Sequence, residues 1–234
     1  GNILDFDNLT EENIYVLDSP ILANSQFKKF KSFFSKKIKV VDCTFDIESS
    51  LKNRIEEIRE ECETAVREGS SFLVLSDKKN SNTRASIPTI LIVGAVHSHL
   101  VKLGLRGHCS INVESGDTLD THSFAILIGV GATTINPYLA IDSIHHRFEK
   151  KLFGKSDFES CVKKFKSSID SGLLKIMSKM GISVISSYRG GCNFEAVGLS
   201  RAIVSDYFPG MVSRISGIGI IGIEKKIKEL HQKF

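Results

Sequence analysis

Short apolar runs alternate with longer amphipathic segments along most of the chain. The apolar runs predict strands at Lys39 to Thr44, Phe72 to Leu75, Cys109 to Val113, Thr133 to Asn136, Ile182 to Ser186 and, less regularly, Arg214 to Ile220. Strands that alternate with helices form parallel sheets with crossover helices. The second to fifth runs contain few charges, as is typical of strands buried on both faces. The pattern therefore predicts an α/β fold of parallel βα repeats, either a barrel or an open doubly wound sheet.

The first helical pattern is aromatic. Phe27, Phe30 and Phe34 lie at positions i, i+3 and i+7, so they form one stripe of a helix, and lysines occupy the remaining face. Basic residues interleaved with aromatic residues are also typical of surfaces that bind nucleic acid or anionic membranes. The regular spacing of the three rings favours a helix that faces the core.

Two longer helices are predicted further along the chain. The first has an apolar stripe from Leu51 to Val66 and ends at Gly69, a residue type common just after a helix. The second begins at the capping box Ser156-Asp157-Phe158-Glu159 and extends to Gly181. Gly172 could break the second helix into two pieces.

Composition limits the function classes. The chain has 234 residues, 41% of them hydrophobic, which suits a single α/β domain with a large core. Its longest apolar runs are shorter than the roughly 20 residues of a membrane span, so we expect a soluble protein with no membrane partner. The formal net charge of +4 does not by itself indicate a nucleic-acid partner. Since the sequence begins without Met or a leader, we expect a piece of a longer protein.

The residues that commonly bind metals do not form a metal motif. The five cysteines are scattered, as expected of reduced thiols in a cytoplasmic protein. They are Cys43, Cys62, Cys109, Cys161 and Cys192. The histidine pairs His97/His99 and His145/His146 lack the i, i+4 spacing of helical zinc sites. We therefore expect no metal site in this segment.

Polar residues follow several of the predicted strands. In parallel α/β folds, ligands bind at the carboxyl ends of strands. The candidates for ligand-facing or interdomain loops are Asp77, Glu114, Asn136, Tyr138, Tyr188 and Arg189. The alternative is that these side chains are ordinary turn residues.

A glycine pattern near the end of the sequence matches a nucleotide-binding fingerprint by letter. Gly217, Gly219 and Gly222 fit Gly-x-Gly-x-x-Gly. We interpret the match as coincidental, because the fingerprint also needs a crossover helix and an acidic residue about 20 positions later. A short stripe of Ile223, Ile227, Leu230 and Phe234 instead predicts one more helix that docks on the core.

Several uninterrupted sequence segments are typical of one protein family. They include Leu17-Asp18-Ser19-Pro20-Ile21-Leu22, Gly94-Ala95-Val96-His97-Ser98-His99-Leu100, Val113-Glu114-Ser115-Gly116, Ile135-Asn136-Pro137-Tyr138-Leu139 and Ser187-Tyr188-Arg189-Gly190. From about residue 15 to residue 222, the chain resembles the central domain of the glutamate synthase large chain.

The resemblance implies a multidomain enzyme that forms glutamate from glutamine and 2-oxoglutarate. An amidotransferase domain would precede this segment and an FMN-binding domain with an iron-sulfur cluster would follow it. The partners would be these two domains, with a small reductase subunit or ferredoxin as electron donor. The segment itself would be an incomplete or distorted TIM-barrel-like domain that binds no cofactor, and no catalytic residue of the family transfers onto it.

The resemblance also implies a division of the chain and a role. Residues 1–26 would be an irregular lead-in, 27–222 the central domain, and 223–234 a helix leading toward the flavin domain. The leading hypothesis is a non-catalytic connector between the two active sites that lines part of an ammonia route. The alternative is a free-standing FMN-dependent barrel oxidoreductase. We expect the loop at residues 187–191 to be exposed or poorly ordered in the isolated segment, with Tyr188 and Arg189 packing at a domain boundary in the intact enzyme.

Overall fold

The computed structural model describes residues 15–191 and 193–233. Its helices are α1 (Asn24–Phe33), α2 (Leu51–Arg67), α3 (Thr89–Lys102), α4 (Thr121–Gly129), α5 (Tyr138–Glu149), α6 (Phe158–Lys179), α7 (Ile185–Tyr188), α8 (Arg201–Tyr207) and α9 (Ile220–His231). Its strands are β1 (Ile38–Asp42), β2 (Thr44–Asp46), β3 (Phe72–Ser76), β4 (Arg84–Ser86), β5 (Ser110–Glu114), β6 (Thr134–Asn136), β7 (Glu195–Leu199) and β8 (Val212–Ile218).

The main sheet has the strand order β1-β3-β5-β6, and all of its neighbouring strands are parallel. The segment before α1 extends this sheet, because Ile21 forms a parallel bridge to Ile135 of β6. The prediction of parallel βα repeats is confirmed. Within the described residues, this four-stranded sheet does not close into a barrel.

One face of the sheet forms the main core. Leu73 and Leu75 of β3 and Ile111 and Val113 of β5 are buried there together with apolar residues of α2, α3 and α4. These short apolar strands thus follow the sequence pattern expected for a covered parallel sheet.

The other face is covered by α1. Phe27, Phe30 and Phe34 are buried in a separate cluster with Val74 of β3, and the ring of Phe34 stacks on Phe72 with centroids 3.8 Å apart. The predicted core-facing aromatic stripe is confirmed, and the lysines between the rings are at least partly exposed.

Two predicted strands differ in the structure. The run Ile182 to Ser186 is not a strand, because Gly181 adopts φ 70° and the Ile182 amide donates back to the Met177 carbonyl, which completes the end of α6. A single helical turn, α7, follows. The run near Arg214 is strand β8, but it pairs with β7 in a separate two-stranded parallel sheet.

The first predicted strand is divided. It separates at Cys43 into β1 and β2, and β2 pairs antiparallel with β4. The Cys43 amide still donates to the Ser76 carbonyl at 2.8 Å, so the break lies at the carboxyl end of the main sheet.

The helix ends refine the sequence predictions. Gly69 has φ 97° directly after the cap of α2, as predicted. The cap of α6 is Asp157 rather than Ser156, since the Asp157 carboxylate accepts from the Ser160 amide at 2.7 Å. Gly172 does not break α6. It allows close packing on α4, because a Cβ at this position would lie 2.5 Å from the Thr121 methyl group.

The terminal glycine pattern lies between β8 and α9. A Cβ on Gly217 would collide with the Gly198 carbonyl of β7, and a Cβ on Gly222 would lie 2.5 Å from the Ile218 side chain. Packing therefore accounts for two of the three glycines. Within α9, Ile223 and Ile227 contact the core.

The docking stripe predicted for α9 ends earlier than expected. The prediction is wrong for Leu230, which is 58% exposed, and Phe234 lies outside the described residues. In the part of the chain that the structure describes, we find no helix with the length and apolar character needed to cross a membrane.

Candidate functional site

Four of the six candidate residues meet at one edge of the main sheet. Ser76, Glu114 and Asn136 are register partners on β3, β5 and β6, so these strands end side by side. Asp77 follows β3, and Tyr138 begins α5 immediately after β6. Parallel strands thus bring Asp77, Glu114, Asn136 and Tyr138 to the carboxyl edge, where ligands bind in α/β proteins.

Glu114 is buried between two lysines. Its side chain is 4% exposed and accepts from Lys31 of α1 at 3.1 Å and from Lys78 at 3.0 Å. The Ser76 hydroxyl donates to it at 2.8 Å. Burial alone would raise the pKa of Glu114, but the hydrogen bonds from Lys78, Ser76 and Lys31 outweigh burial and lower it. Glu114 is therefore a fully satisfied carboxylate that ties α1 to the sheet edge.

Asp77 is buried and has no ion-pair partner in the described part of the chain. It is 5% exposed, and its Oδ2 accepts from the Gly116 amide at 2.8 Å. Among the described residues its Oδ1 has no hydrogen-bond partner. Burial raises the pKa of Asp77, and the hydrogen bonds from Gly116 and Tyr138 only partly offset this effect. Asp77 thus carries a charge that its surroundings do not stabilise fully.

Tyr138 shares the environment of these two carboxylates. Burial raises the pKa of its hydroxyl, and the neighbouring Asp77 raises it further. The ammonium group of Lys78 lies 4.8 Å from the centroid of its ring. Tyr138 therefore stays protonated and can act as a donor at this edge.

Asn136 holds the segment that precedes α1. It is fully buried, and its Nδ2 donates to the Leu22 carbonyl and to the Asn24 side chain, both at 2.9 Å. Its Oδ1 has no partner among the described residues. Asn136 therefore has a structural role, since it holds the segment before α1 against the strand edge.

The other two candidates lie elsewhere. Tyr188 is 1% exposed in the main core, so the prediction of an exposed loop is wrong for this residue. The reason is that α7 turns the ring inward, where it packs near Phe194 with centroids 6.2 Å apart. Arg189 is half-buried and donates through Nε to the Ala132 carbonyl at 3.1 Å, just before β6 begins.

Sequence reasoning missed several groups at the edge. Lys31 reaches Glu114 across 83 positions, and no local pattern indicates that pairing. Asp117 accepts from the Thr89 amide at 3.0 Å and so caps α3, which begins after Pro88 and has no capping side chain of its own. Lys78 lies three residues after the end of the predicted strand Phe72 to Leu75, so its position in the loop after that strand was a usable signal.

A groove opens beside this edge, between α1, α5 and α6. Its volume is about 960 Å³, and Asn24, which contacts Asn136, also lines it. Two pairs of polar side chains along it are bonded to each other, since Ser19 donates to Asp170 at 2.7 Å and Lys166 donates to Gln26 at 2.9 Å. None of the six candidate residues lines this groove.

The described residues of the strand edge do not match what the phosphate of FMN needs. The edge presents Asp77 and Glu114, and Lys31 and Lys78 are already paired with Glu114, so it offers no free cation for the flavin phosphate. Within residues 15–191 and 193–233, no group of three or more His, Cys, Asp or Glu side chains is arranged to hold a metal ion.

Three of the described cysteines, Cys43, Cys62 and Cys109, are buried. Burial raises the pKa of all three thiols, as expected of structural cysteines that are inert. Cys192 lies outside the described residues.

Comparisons with known proteins agree with one another. A family model described as the glutamate synthase central domain matches residues 1–200. The glutamate synthase [NADPH] large chain of Azospirillum brasilense is 50% identical over 234 residues, which cover 99% of this chain and 15% of that protein. The corresponding large chain of Bacillus subtilis (strain 168) is 39% identical over 93% of this chain and 14% of its own length. The ferredoxin-dependent glutamate synthase of Pyropia yezoensis is 38% identical over 100% of this chain and 16% of its own length.

The chain thus spans about one sixth of the length of these relatives. Among solved structures, DHODH in complex with ferulenol from Eimeria tenella aligns with a TM-score of 0.43 and 14% identity over 67% of this chain and 38% of that one. This similarity is too low to support an argument about function.

Proposed function

Because this chain belongs to the glutamate synthase central domain family, we propose that it is the non-catalytic central domain of a glutamate synthase large chain. The intact enzyme would convert glutamine, 2-oxoglutarate and two reducing equivalents into two molecules of glutamate. The central domain would hold the glutaminase and FMN synthase domains in register and line part of the path that ammonia takes between them. A shielded path limits escape of ammonia and its protonation to ammonium, which is not nucleophilic.

The observation that carries the non-catalytic role is the state of Glu114. At the strand edge where an α/β enzyme holds its ligand, this carboxylate is neutralised by Lys31 of α1 and by Lys78. The contact uses the polar groups of the edge to fasten α1 over the sheet. A domain built this way is suited to rigid support rather than to chemistry of its own.

The proposal assigns the cofactors and partners to other parts of the large chain. FMN and the iron-sulfur cluster would belong to the synthase domain, and residues 223–234 would lead toward it from a central domain at residues 27–222, with residues 1–26 as the lead-in. The electron donor would be a small reductase subunit or ferredoxin. We place the enzyme in the cytoplasm, without a nucleic-acid or membrane partner.

The experiment compares the 234-residue chain with the full large chain that contains it. Purified alone, the short chain should show no flavin absorption and no glutaminase activity, and the full chain should show both. With saturating 2-oxoglutarate and reductant, the full chain should release little free ammonia per glutamine hydrolysed. Stoichiometric FMN in the short chain would contradict the proposal and favour a free-standing flavin oxidoreductase.

A further inference from the structure

Two arginines converge where β5 and β6 begin, at the end of the sheet opposite the candidate site. Arg106 donates through Nη1 to the Cys109 carbonyl at 2.6 Å and through Nη2 to the Gly131 carbonyl at 2.9 Å. Arg189 donates to the next carbonyl, that of Ala132. Both side chains are half-buried, so the two guanidinium groups lie on adjacent backbone carbonyls at the protein surface.

Neither of these arginines has an acidic partner among the described residues. Other arginines that are at least partly buried pair with carboxylates. Arg59 contacts Glu56 and Asp206, and Arg84 contacts Asp42. Burial lowers the pKa of both Arg106 and Arg189, which shows that removal from water opposes their charge. Arginine nevertheless stays protonated in proteins, so the pair retains two charges that no carboxylate of the described part balances.

His97 adds a neutral donor to the same place. Its Nδ1 accepts from Arg106 Nε at 3.1 Å, so the neutral ring carries its proton on Nε2. Burial, reinforced by Arg106 and Arg189, lowers the pKa of His97 to about 4. At neutral pH the ring is therefore uncharged and adds no third positive charge to the two arginines.

An apolar notch adjoins His97. It has a volume of about 170 Å³, and its lining includes His97, Val101, Val130, Phe208 and Met211. Val101 is 51% exposed, although its side chain is apolar. The positive charge of Arg106 and Arg189 thus lies close to an apolar notch about the size of one side chain.

We propose that Arg106 and Arg189 receive an Asp or Glu side chain from another domain of the same large chain, and that an apolar neighbour of this residue fills the notch. Charge complementarity identifies the carboxylate, because two guanidinium groups without an acid match its two oxygens. The notch favours a protein segment over a free anion, since a small anion would leave the recess empty. The origin of the segment rests on the proposed function, under which most of the large chain lies outside these residues.

The experiment uses the full large chain and zero-length cross-linking. In an Arg189→Lys variant, a carbodiimide activates nearby carboxylates, and the amine at position 189 forms an amide with a carboxylate that it touches. Mass spectrometry should identify one Asp or Glu outside residues 1–234 joined to position 189. The matched control is Arg201→Lys, at an exposed arginine of α8, which should give no such product. A cross-link confined to residues 1–234 would overturn the proposal, and if no cross-link forms, the second variant decides.

A second variant covers the case in which lysine is too short to reach. Arg189→Gln should increase limited proteolysis at the borders of the central domain by about tenfold, because one hydrogen bond to a charged group is lost. Arg201→Gln should leave the cleavage rate unchanged. If Arg189→Gln is cleaved at the same rate as the wild type, no protein carboxylate occupies the site. The same conclusion follows if inorganic phosphate raises the melting temperature of the wild type but not that of Arg189→Gln. Neither readout depends on catalysis. The proposed carboxylate contact can therefore be refuted while the connector role stands, and the connector role can be refuted while the contact stands.

Discussion

Neutralising the two carboxylates of the strand edge should change stability in opposite directions. Glu114→Gln removes the negative charge that holds Lys31 and Lys78. Asp77→Asn removes a buried charge that has no paired cation among the described residues, and the oxygen of the new amide can keep the bond from Gly116. We expect the first variant to be less stable than the wild type and the second to be equally or more stable.

The exposure of the lysines sets the size of the first effect. Breaking a fully buried ion pair costs about 3–5 kcal/mol, but the side chains of Lys31 and Lys78 are 32% and 46% exposed and can return to water. The expected loss is therefore about 1–2 kcal/mol. For Asp77→Asn, relief of an incompletely solvated charge should add about 1 kcal/mol.

The two effects also depend on pH. The folded pKa of Glu114 is lowered, so its contribution is complete above the ordinary pKa of about 4.3 and disappears as the pH falls through the folded value. The folded pKa of Asp77 is raised, so its destabilising effect is complete at neutral pH and disappears as the pH falls through that value toward about 3.9. Both differences from the wild type should therefore be larger at pH 7 than near pH 4.

The assay is urea unfolding of the 234-residue chain followed by circular dichroism at several pH values. Glu48→Gln is the control, since Glu48 is exposed and its replacement should change stability by less than about 0.5 kcal/mol. A loss of 1 kcal/mol or more in Asp77→Asn at pH 7 would refute the reasoning, because it would mean that the Asp77 charge stabilises the fold. The same conclusion would follow if its difference from the wild type grew as the pH fell.

Three further substitutions test the packing, all by urea unfolding. Gly172→Ala should cost about 1–3 kcal/mol, because the new methyl group meets Thr121. In a Thr121→Ala background, Gly172→Ala should leave the free energy of unfolding unchanged or raise it, because alanine has the better helix propensity. Equal costs in both backgrounds would contradict the contact between position 172 and Thr121. Tyr188→Phe should raise stability or leave it within about 1 kcal/mol, because the buried hydroxyl has no partner among the described residues; a larger loss would reveal one. Gly94→Ala should cost about 2 kcal/mol or more, since its Cβ would collide with the Phe208 ring, and a neutral result would show that α8 can move away.

The parts of the fold that the sequence predicted are those with a local signal. The stripe of Phe27, Phe30 and Phe34 identified a core-facing helix because its spacing depends only on neighbouring residues. The edge that carries Asp77 and Glu114 could be predicted because parallel strands necessarily end together. In both cases the positions of nearby residues in the sequence were enough for the prediction.

The errors arose where distant contacts decide the structure. The run from Ile182 to Ser186 has the β-branched composition of a strand, but the left-handed Gly181 and the end of α6 fold it back into a turn. That fold buries Tyr188, whose polar neighbours in sequence suggested an exposed loop. The pairing of Glu114 with Lys31 could not be predicted, since a contact over 83 positions leaves no periodic trace.

The pairing of Ile21 with β6 has a consequence for the order in which the protein assembles on the ribosome. The bond from Asn136 to the Leu22 carbonyl spans 114 residues, which take about 6–23 s to synthesise at about 5–20 residues per second. The phenylalanines at α1 pack on Val74 and Phe72 of β3 and on Ile38 of β1, so α1 can dock early, whereas the segment before it must wait for β6. Nascent chains arrested before Thr134 should therefore have a docked α1 and an amino-terminal segment that is still open to proteases, and those arrested well beyond Asn136 should protect both.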